Sequence, residues 1–331
     1  MEPVMTALSV LDLMMIGEDK TFAHTLEDAV SLARHVEAHG YKRYWIAEHH
    51  DLPGIASSAT TLLIQHLAAA TSTLRVGSGG IMLPNHSPLL VAEQFGTLDT
   101  LYPDRIDLGI GRAPGSAGPA IRAIRGDASE RDFTQDIQQL TDYLADDGNQ
   151  PVRAIPGKHD VPLWLLGSSM NSADLAAKLG LPYAFASHFA PRFLMEAITH
   201  YRATFRPSAV LESPYVIAGA NVFAASTRAE ADYLASSHRQ WVSNLYSGKA
   251  GALPRPEEGF MERLSNYDRQ NLAEAMSCTA IGNKDDVGRW LRQFIATTEV
   301  DEVIIDARIY DPDARSRSYQ LAAESISDLL D

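Results

Sequence analysis

Short apolar runs alternate along the chain with longer stretches whose apolar residues recur every three or four positions, the pattern of strands alternating with amphipathic helices. Ala7 to Leu13 is the first run. Leu26 to His39 follows as a helix, with Ala29, Leu32, Ala33 and Val36 along one side and Gly40 suited to its C-terminal cap. Tyr44 to Ala47 is the second run, and Ser57 to Thr71 is helical, with Leu62, Leu63, His66 and Leu67 on one side. Leu74 to Leu83 is the third strand, after which Ser87-Pro88 opens a helix with serine as cap and proline at the first helical position. Ile106 to Ile110 is the fourth strand and runs into a glycine-rich loop. Helix Asp132 to Leu144 leads through a Pro/Gly-rich connection, to about Val161, into strand Leu163 to Leu166. Helix Ser172 to Leu179, stopped at Gly180, precedes strand Tyr183 to Ala186 and helix Leu194 to Phe205. Val216 to Ala225 is the seventh strand, Val303 to Ile305 the eighth, and Ser318 to Leu330 the closing helix.

Eight strands alternating with helices predict an α/β protein: one (β/α)8 TIM-type barrel covering residues 1–331. The alternation by itself also fits an open, doubly wound sheet. The stretch from 226 to 300, between strands seven and eight, exceeds a single crossover helix. It is read as an insertion inside one domain, and Ser247 to Gly259, rich in Gly and Pro, as a loop within it.

Composition narrows the function. The chain has 331 residues and a formal charge of -14, from 28 Lys plus Arg and 42 Asp plus Glu. That balance argues against a general nucleic-acid binder and against docking on an anionic membrane, leaving room for a local basic pocket. The one cysteine, Cys278, forms no intrachain disulfide, in keeping with the cytoplasm. Met1 to Ile16 has no Lys or Arg, and Asp12 interrupts its apolar run, so no secretory signal is expected; no run of 18 apolar residues suggests a membrane span.

In a barrel of this kind chemistry gathers at the C-terminal ends of the strands. Glu48-His49-His50 lies just past strand two, Gly79-Gly80 within strand three, Arg112 after Gly109-Ile110-Gly111, and Gly167-Ser168-Ser169 after strand five. Neighbouring strand residues face opposite ways, so one histidine of the pair faces the cavity. There it suits acid–base work near neutral pH, although a wall histidine satisfied by hydrogen bonds has the same sequence. No partner cluster for a metal is visible around the pair, so no metal is expected. Glycines within a strand mark a bulge, tight packing or a ligand's close approach. Arg112 suits a phosphate as well as a surface ion pair, and Ser168, Ser169 and Ser172 suit either an anion seat or a helix cap. The stretch from Gly109 does not match the dinucleotide fingerprint. Trp45, His86, His188 and Cys278 are read as structural.

These same residues carry a likeness. Tyr44-Trp45-Ile46-Ala47-Glu48-His49-His50, Val76 to His86, Arg105 to Gly115, Leu165 to Ser169 and Phe185 to Phe189 resemble, in order, blocks of the bacterial luciferase-like family of flavin-dependent monooxygenases. The resemblance implies a β/α barrel binding FMN at its mouth, with Gly79-Gly80 as a non-prolyl cis peptide under the ring. It implies that Arg112, Ser169 and Ser172 hold the phosphate, with Ser168 and Glu48 also beside the cofactor, and that His49 is catalytic. It further implies reduced FMN from a separate flavin reductase, O2, a flavin C4a-hydroperoxide, a small apolar organic substrate, a homodimer, and a mobile lid at 247–259. Gly111 stands where luciferase has a reactive cysteine, which speaks against light emission. A deazaflavin-dependent hydride-transfer enzyme and a non-catalytic flavin-binding protein on the same barrel remain open.

Overall fold

The computed structural model describes residues 6–113, 118–125, 131–146, 148 and 151–327. The strands are β1 (Ala7–Asp12), β2 (Arg43–Ile46), β3 (Arg75–Met82), β4 (Ile106–Gly111), β5 (Leu163–Gly167), β6 (Tyr183–Phe185), β7 (Val216–Ala224), β8 (Thr279–Gly282) and β9 (Glu302–Asp306). The helices are α1 (Phe22–Ala38), α2 (Thr60–Ala70), α3 (Pro88–Leu101), α4 (Gly118–Arg125), α5 (Phe133–Ala145), α6 (Met170–Leu179), α7 (Leu194–Thr204), α8 (Arg228–Tyr246), α9 (Phe260–Arg263), α10 (Asn266–Ala275), α11 (Lys284–Thr298) and α12 (Pro312–Ser327).

All the strand pairings are parallel, and β1 to β7 with β9 close on themselves through the β6–β7 and β7–β9 pairs. The barrel, not the open sheet, is therefore the fold. Both strand faces are buried, as parallel sheets require. One face, including Val10, Tyr44, Ile46, Val76, Leu108 and Val303, packs under the helices. The alternate positions, Leu11, Trp45, Trp164, Ala184, Ile217 and Ile304, fill the lumen. Trp45 and Trp164 stand on β2 and β5, which are not neighbours in the sheet, yet their ring centroids are 5.3 Å apart across the lumen. Trp45 is thus a lumen plug more than part of the wall.

The insertion differs from a simple loop. It holds α8 to α11 and a short extra strand, β8. Asn221 of β7 pairs with both Asp306 and Thr279, so β8 lies on the side of β7 away from β9, beyond the end of the short β6. Four residues flanked by helices are too short to announce a strand by periodicity. Several helix starts also shift. Thr21 and His24 form a capping box that begins α1 upstream of Leu26, and Ser169 caps α6 three residues before Ser172. The last helix begins at Pro312, and residues 328–330 of the expected span lie outside those described, as do Pro114 and Gly115.

The barrel floor is ionic. Arg43, 3% exposed, donates to Asp107 of β4 at 2.6 Å and to Glu302 of β9 at 2.7 and 3.2 Å. Arg75 of β3 reaches the other Asp107 oxygen at 2.7 and 3.0 Å, while Trp45 Nε1 donates to Asp107 at 3.1 Å. Glu302 also accepts from Ser9 and from Tyr215, and the Arg43 guanidinium lies 4.6 Å from the Trp164 ring. Removing one member of such a network strands the others without compensation. Arg43→Met is expected to lower stability by about 3–5 kcal/mol, read as a shift of the urea midpoint at pH 7. A midpoint equal to the parent's would show that the floor does not depend on this charge.

Candidate functional site

Counting by twos along β2, from Arg43 through Trp45 and Ala47, turns His49 into the mouth and Glu48 away from it. Glu48 is 1% exposed and lies between the ends of β2 and β3. It accepts from Nε2 of His50 at 2.8 Å, from Nε2 of His86 at 2.8 and 3.0 Å, and from the backbone N–H of Met82 at 3.1 Å. Burial pulls its pKa upward. The hydrogen bonding and attraction of His86, joined by His50 and Met82, outweigh that and hold the carboxyl below its usual range. The expectation that this histidine pair lacks a partner cluster is corrected here. Glu48, His50 and His86 bring three ligand-type atoms within 4.8 Å of one another. The loop after β3 carries His86 back, a closure that sequence separation hides. Their nitrogens and oxygens satisfy one another by hydrogen bonds, which anchors Glu48 and ties β3's end to β2's.

His49 sits beside a second group that sequence reading did not assemble. Burial pushes its pKa down to about 4, helped by the Arg308 guanidinium and His50 and opposed by Glu48. His188, read from sequence as structural, enters the mouth after β6. It does so because Gly219 leaves the space: a Cβ there would come within 2.3 Å of His188 Nδ1. Burial also pushes His188 down to about 4, with Asp306 opposing and Arg308 and His49 assisting. His238 of α8 is buried at 2% exposure, and its pKa is held well below the ordinary value, first by burial and then by Arg308, His188 and Arg239. The Nδ1 atoms of all three histidines are buried without a hydrogen-bond partner. At neutral pH they are uncharged imidazoles, each able to give or take a proton. Arg308 lies two residues beyond Asp306, so extending β9's alternation past Ile305 is the signal that finds both.

The opposite half of the mouth is floored by glycine. The Gly79–Gly80 bond is cis, and the pairing of β3 with β4 shifts register between Ser78 and Ile81. A Cβ on Gly79 would lie 2.7 Å from Leu11 Cδ1, and one on Gly80 2.7 Å from the Gly109 carbonyl oxygen. Gly109 itself would meet the Ser78 oxygen at 2.2 Å. No side chain fits at these three positions, so the floor stays bare backbone. Ile110 pairs with Leu165; two residues on, that register sets Arg112 beside Gly167. Arg112 is exposed and makes no hydrogen bond or ion pair among the described residues. Ser169 and Ser172 form a reciprocal capping box at the start of α6, and Ser172 Oγ lies 2.9 Å from the Tyr183 hydroxyl. Ser168 lies just before that cap and is part-buried. A free guanidinium, serine hydroxyls and a helix N-terminus beside bare backbone fit a flat cofactor ending in a phosphate.

The segment 247–259 packs against the stretches that follow β1 and β2. Leu253, 3% exposed, exchanges backbone hydrogen bonds with Ile16 and Glu18, and the Gly251 carbonyl accepts from Trp241 Nε1 at 3.2 Å. Gly54 admits Gly251 at a distance no Cβ would allow. Cys278 is buried, and burial pushes its thiol up to about 11, so it remains a protonated packing group.

Residues 6–302 match the family model described as luciferase-like monooxygenase. A luciferase-like monooxygenase of Escherichia coli (strain K12) is 46% identical over 330 residues, covering 98% of each chain. An N-acetyl-S-alkylcysteine monooxygenase of Bacillus subtilis (strain 168) is 34% identical, covering 97% of this chain and 98% of its own. Among solved structures, apo-MsnO8 superposes with a TM-score of 0.87 at 37% identity, covering 97% of this chain and 98% of its own. The oxygenating constituent of 3,6-diketocamphane monooxygenase from Pseudomonas putida, in complex with FMN, shares the fold at TM-score 0.71 and 16% identity, over 98% of both chains. An F420-dependent secondary alcohol dehydrogenase shares it at 0.65 and 13%, over 97% of this chain and 99% of its own.

The lowered histidines tie stability to acid. With pKa values near 4 in the fold against an ordinary 6.5, His49 and His188 leave the unfolded chain binding more protons between those values. Their contribution is present above pH 6.5 and is lost as pH falls toward 4. Urea midpoints should therefore drop from pH 7 to pH 4.5, and His188→Gln should reduce the drop. An undiminished drop in that variant would place the acid sensitivity elsewhere.

Proposed function

Because the chain belongs to the luciferase-like monooxygenase family, we propose that it is an oxidoreductase that receives reduced FMN from a separate reductase and uses O2 to oxygenate a small, largely apolar organic substrate. The observation that carries this reading is the division of one mouth. A bare glycine floor beside the free Arg112 faces a wall of uncharged, buried imidazoles. In this reading Arg112, Ser168, Ser169 and Ser172 hold the cofactor phosphate. The backbone of Gly79 and Gly80 supports the ring, and Glu48 holds the adjoining Met82 backbone and His86 in place. When bound, reduced FMN supplies the two electrons that oxygen activation requires.

The remaining work falls to the chain. Leu11, Leu13, Trp45 and Trp164 fill the lumen beneath the site and keep water from entering through the floor. His49 is the proposed catalytic residue. Neutral at pH 7, it holds a proton on one ring nitrogen and offers the other, so it takes a proton from, or returns it to, an oxygen placed beside it. The segment 247–259 is the proposed lid, pinned at Leu253 and Gly251. Exposed Leu62 on α2 and Leu90 and Leu101 on α3, at 71%, 55% and 56%, support a homodimer through those helices. No described helix is long and apolar enough to cross a membrane. The reduced thiol state expected of Cys278 supports action in the cytoplasm.

Three measurements test this reading. Mixing the protein with photoreduced FMN and air should slow the return of oxidised-flavin absorbance relative to buffer; equal rates, or tighter binding of a deazaflavin than of FMN, would overturn it. Arg112→Ala should weaken FMN binding at least tenfold, about 1.4 kcal/mol, whereas His49→Ala should leave it within about twofold and divert oxygen to hydrogen peroxide. Trypsin should cut after Lys249 more slowly once reduced FMN is present. Unchanged cutting would remove the lid from the account.

A further inference from the structure

The wall that faces the glycine floor is more specialised than a proton donor requires. Arg308 is 3% exposed, yet its Nε and Nη2 both turn to one oxygen of Asp306, at 2.8 and 2.6 Å. Its Nη1 has no partner among the described residues. The guanidinium carbon lies over the Trp241 ring, 4.6 Å from its centroid. Around it stand the buried, unpartnered Nδ1 atoms of His188 and His238, with that of His49 nearby. Arg308, His188 and His238 line one cleft, whose remaining lining is largely apolar: Phe189, Trp241, Leu245, Tyr246 and Met276. Phe189 and Tyr246 are 53% and 59% exposed.

We infer that this cleft selects organic acids: an aliphatic carboxylate whose head meets Arg308, His188 and His238 and whose tail lies along Trp241, Leu245 and Met276. The inference rests on the proposed reading of the mouth as a catalytic site and names the substrate class. Three features favour an acid over a neutral molecule. The free Nη1 can complete a charge-assisted hydrogen bond, roughly twice as strong as a neutral one. Among the described residues, the one carboxylate paired with Arg308 uses a single oxygen, so the guanidinium is not spent. After burial, this guanidinium is the strongest charge acting on His49 and His238 and lowers both, whereas at His188 the Asp306 carboxylate opposes it more strongly, in a chain of net charge -14. Unpartnered buried nitrogens are costly unless something fills the cleft. Asn221 Oδ1 and Asp306 Oδ1 are also buried without partners.

The test uses octanoate, 1-octanol and methyl octanoate as probes, with Trp fluorescence as readout because Trp241 lines the cleft. The flavin-free protein should bind octanoate at least tenfold more tightly than either neutral analogue. Arg308→Gln should abolish that preference while retaining some affinity for the tail. Where that variant fails to fold, Asp306→Asn combined with Arg308→Gln removes both charges together and is read the same way. His238→Gln should weaken octanoate alone. Equal affinity for acid and alcohol, no binding of octanoate, or an undiminished preference in the folded variants would overturn the inference. Because no flavin is present, any of these results leaves the flavin reading standing if the protein still slows reoxidation of reduced FMN. Loss of that effect with the octanoate preference intact would sink the flavin reading alone.

Discussion

One buried guanidinium organises the barrel. Arg43 rises from the start of β2 into the centre of the floor and meets carboxylates from β4 and β9. Through them it engages side chains of β1 and β3 and Tyr215 just before β7, and it lies over the Trp164 ring of β5. Isolated, such a charge would be expelled from a low-dielectric interior. With two carboxylates and Arg75 the set is neutral, and its directional bonds permit one relative placement of these strands. Because side chains alternate with a period of two, fixing the floor fixes which residues appear at the mouth. Arg43 below Trp45, Ala47 and His49 is one such column; Glu302 below Ile304, Asp306 and Arg308 is another. A slip of one residue would turn both Arg308 and His49 out of the cavity.

The two halves of the mouth follow from different physics. On β3 and β4 backbone approaches backbone so closely that only glycine fits, and the surface is uniform and uncharged. On β6, β7 and β9 a single glycine, Gly219, makes room for a histidine, and the insertion supplies His238 and Trp241 from α8. One half is defined by side chains that are absent, the other by side chains brought from afar. Between them, Glu48 turns away from the cavity and holds the loop after β3 through His86 and Met82.

Much of this was legible in the sequence, for stated reasons. The barrel strands are short, apolar and bounded by helical patterns, so their limits fall within a residue of expectation. The prediction that one histidine of the pair faces inward needed only strand alternation. What escaped depended on contact between distant segments. His86 returns to Glu48 through a tight turn, and His188 enters only because position 219 lacks a side chain. Arg308 lies just past a strand whose apolar run ends at Ile305, since Asp306 breaks the hydrophobic signal while continuing the alternation. The strand β8 has four residues and no pattern long enough to register.

The closed floor also has a kinetic meaning. A lumen plugged by Trp45, Trp164 and the ion network is a blind passage, and every molecule that enters leaves by the same opening. Two ligands sharing such a passage interfere with one another's traffic: whichever sits nearer the rim governs the release of the one beneath. In the proposed reading, residence time at the rim sets the order of events, and the aromatic edge at Phe189 and Tyr246 would act as a turnstile as well as a binding surface.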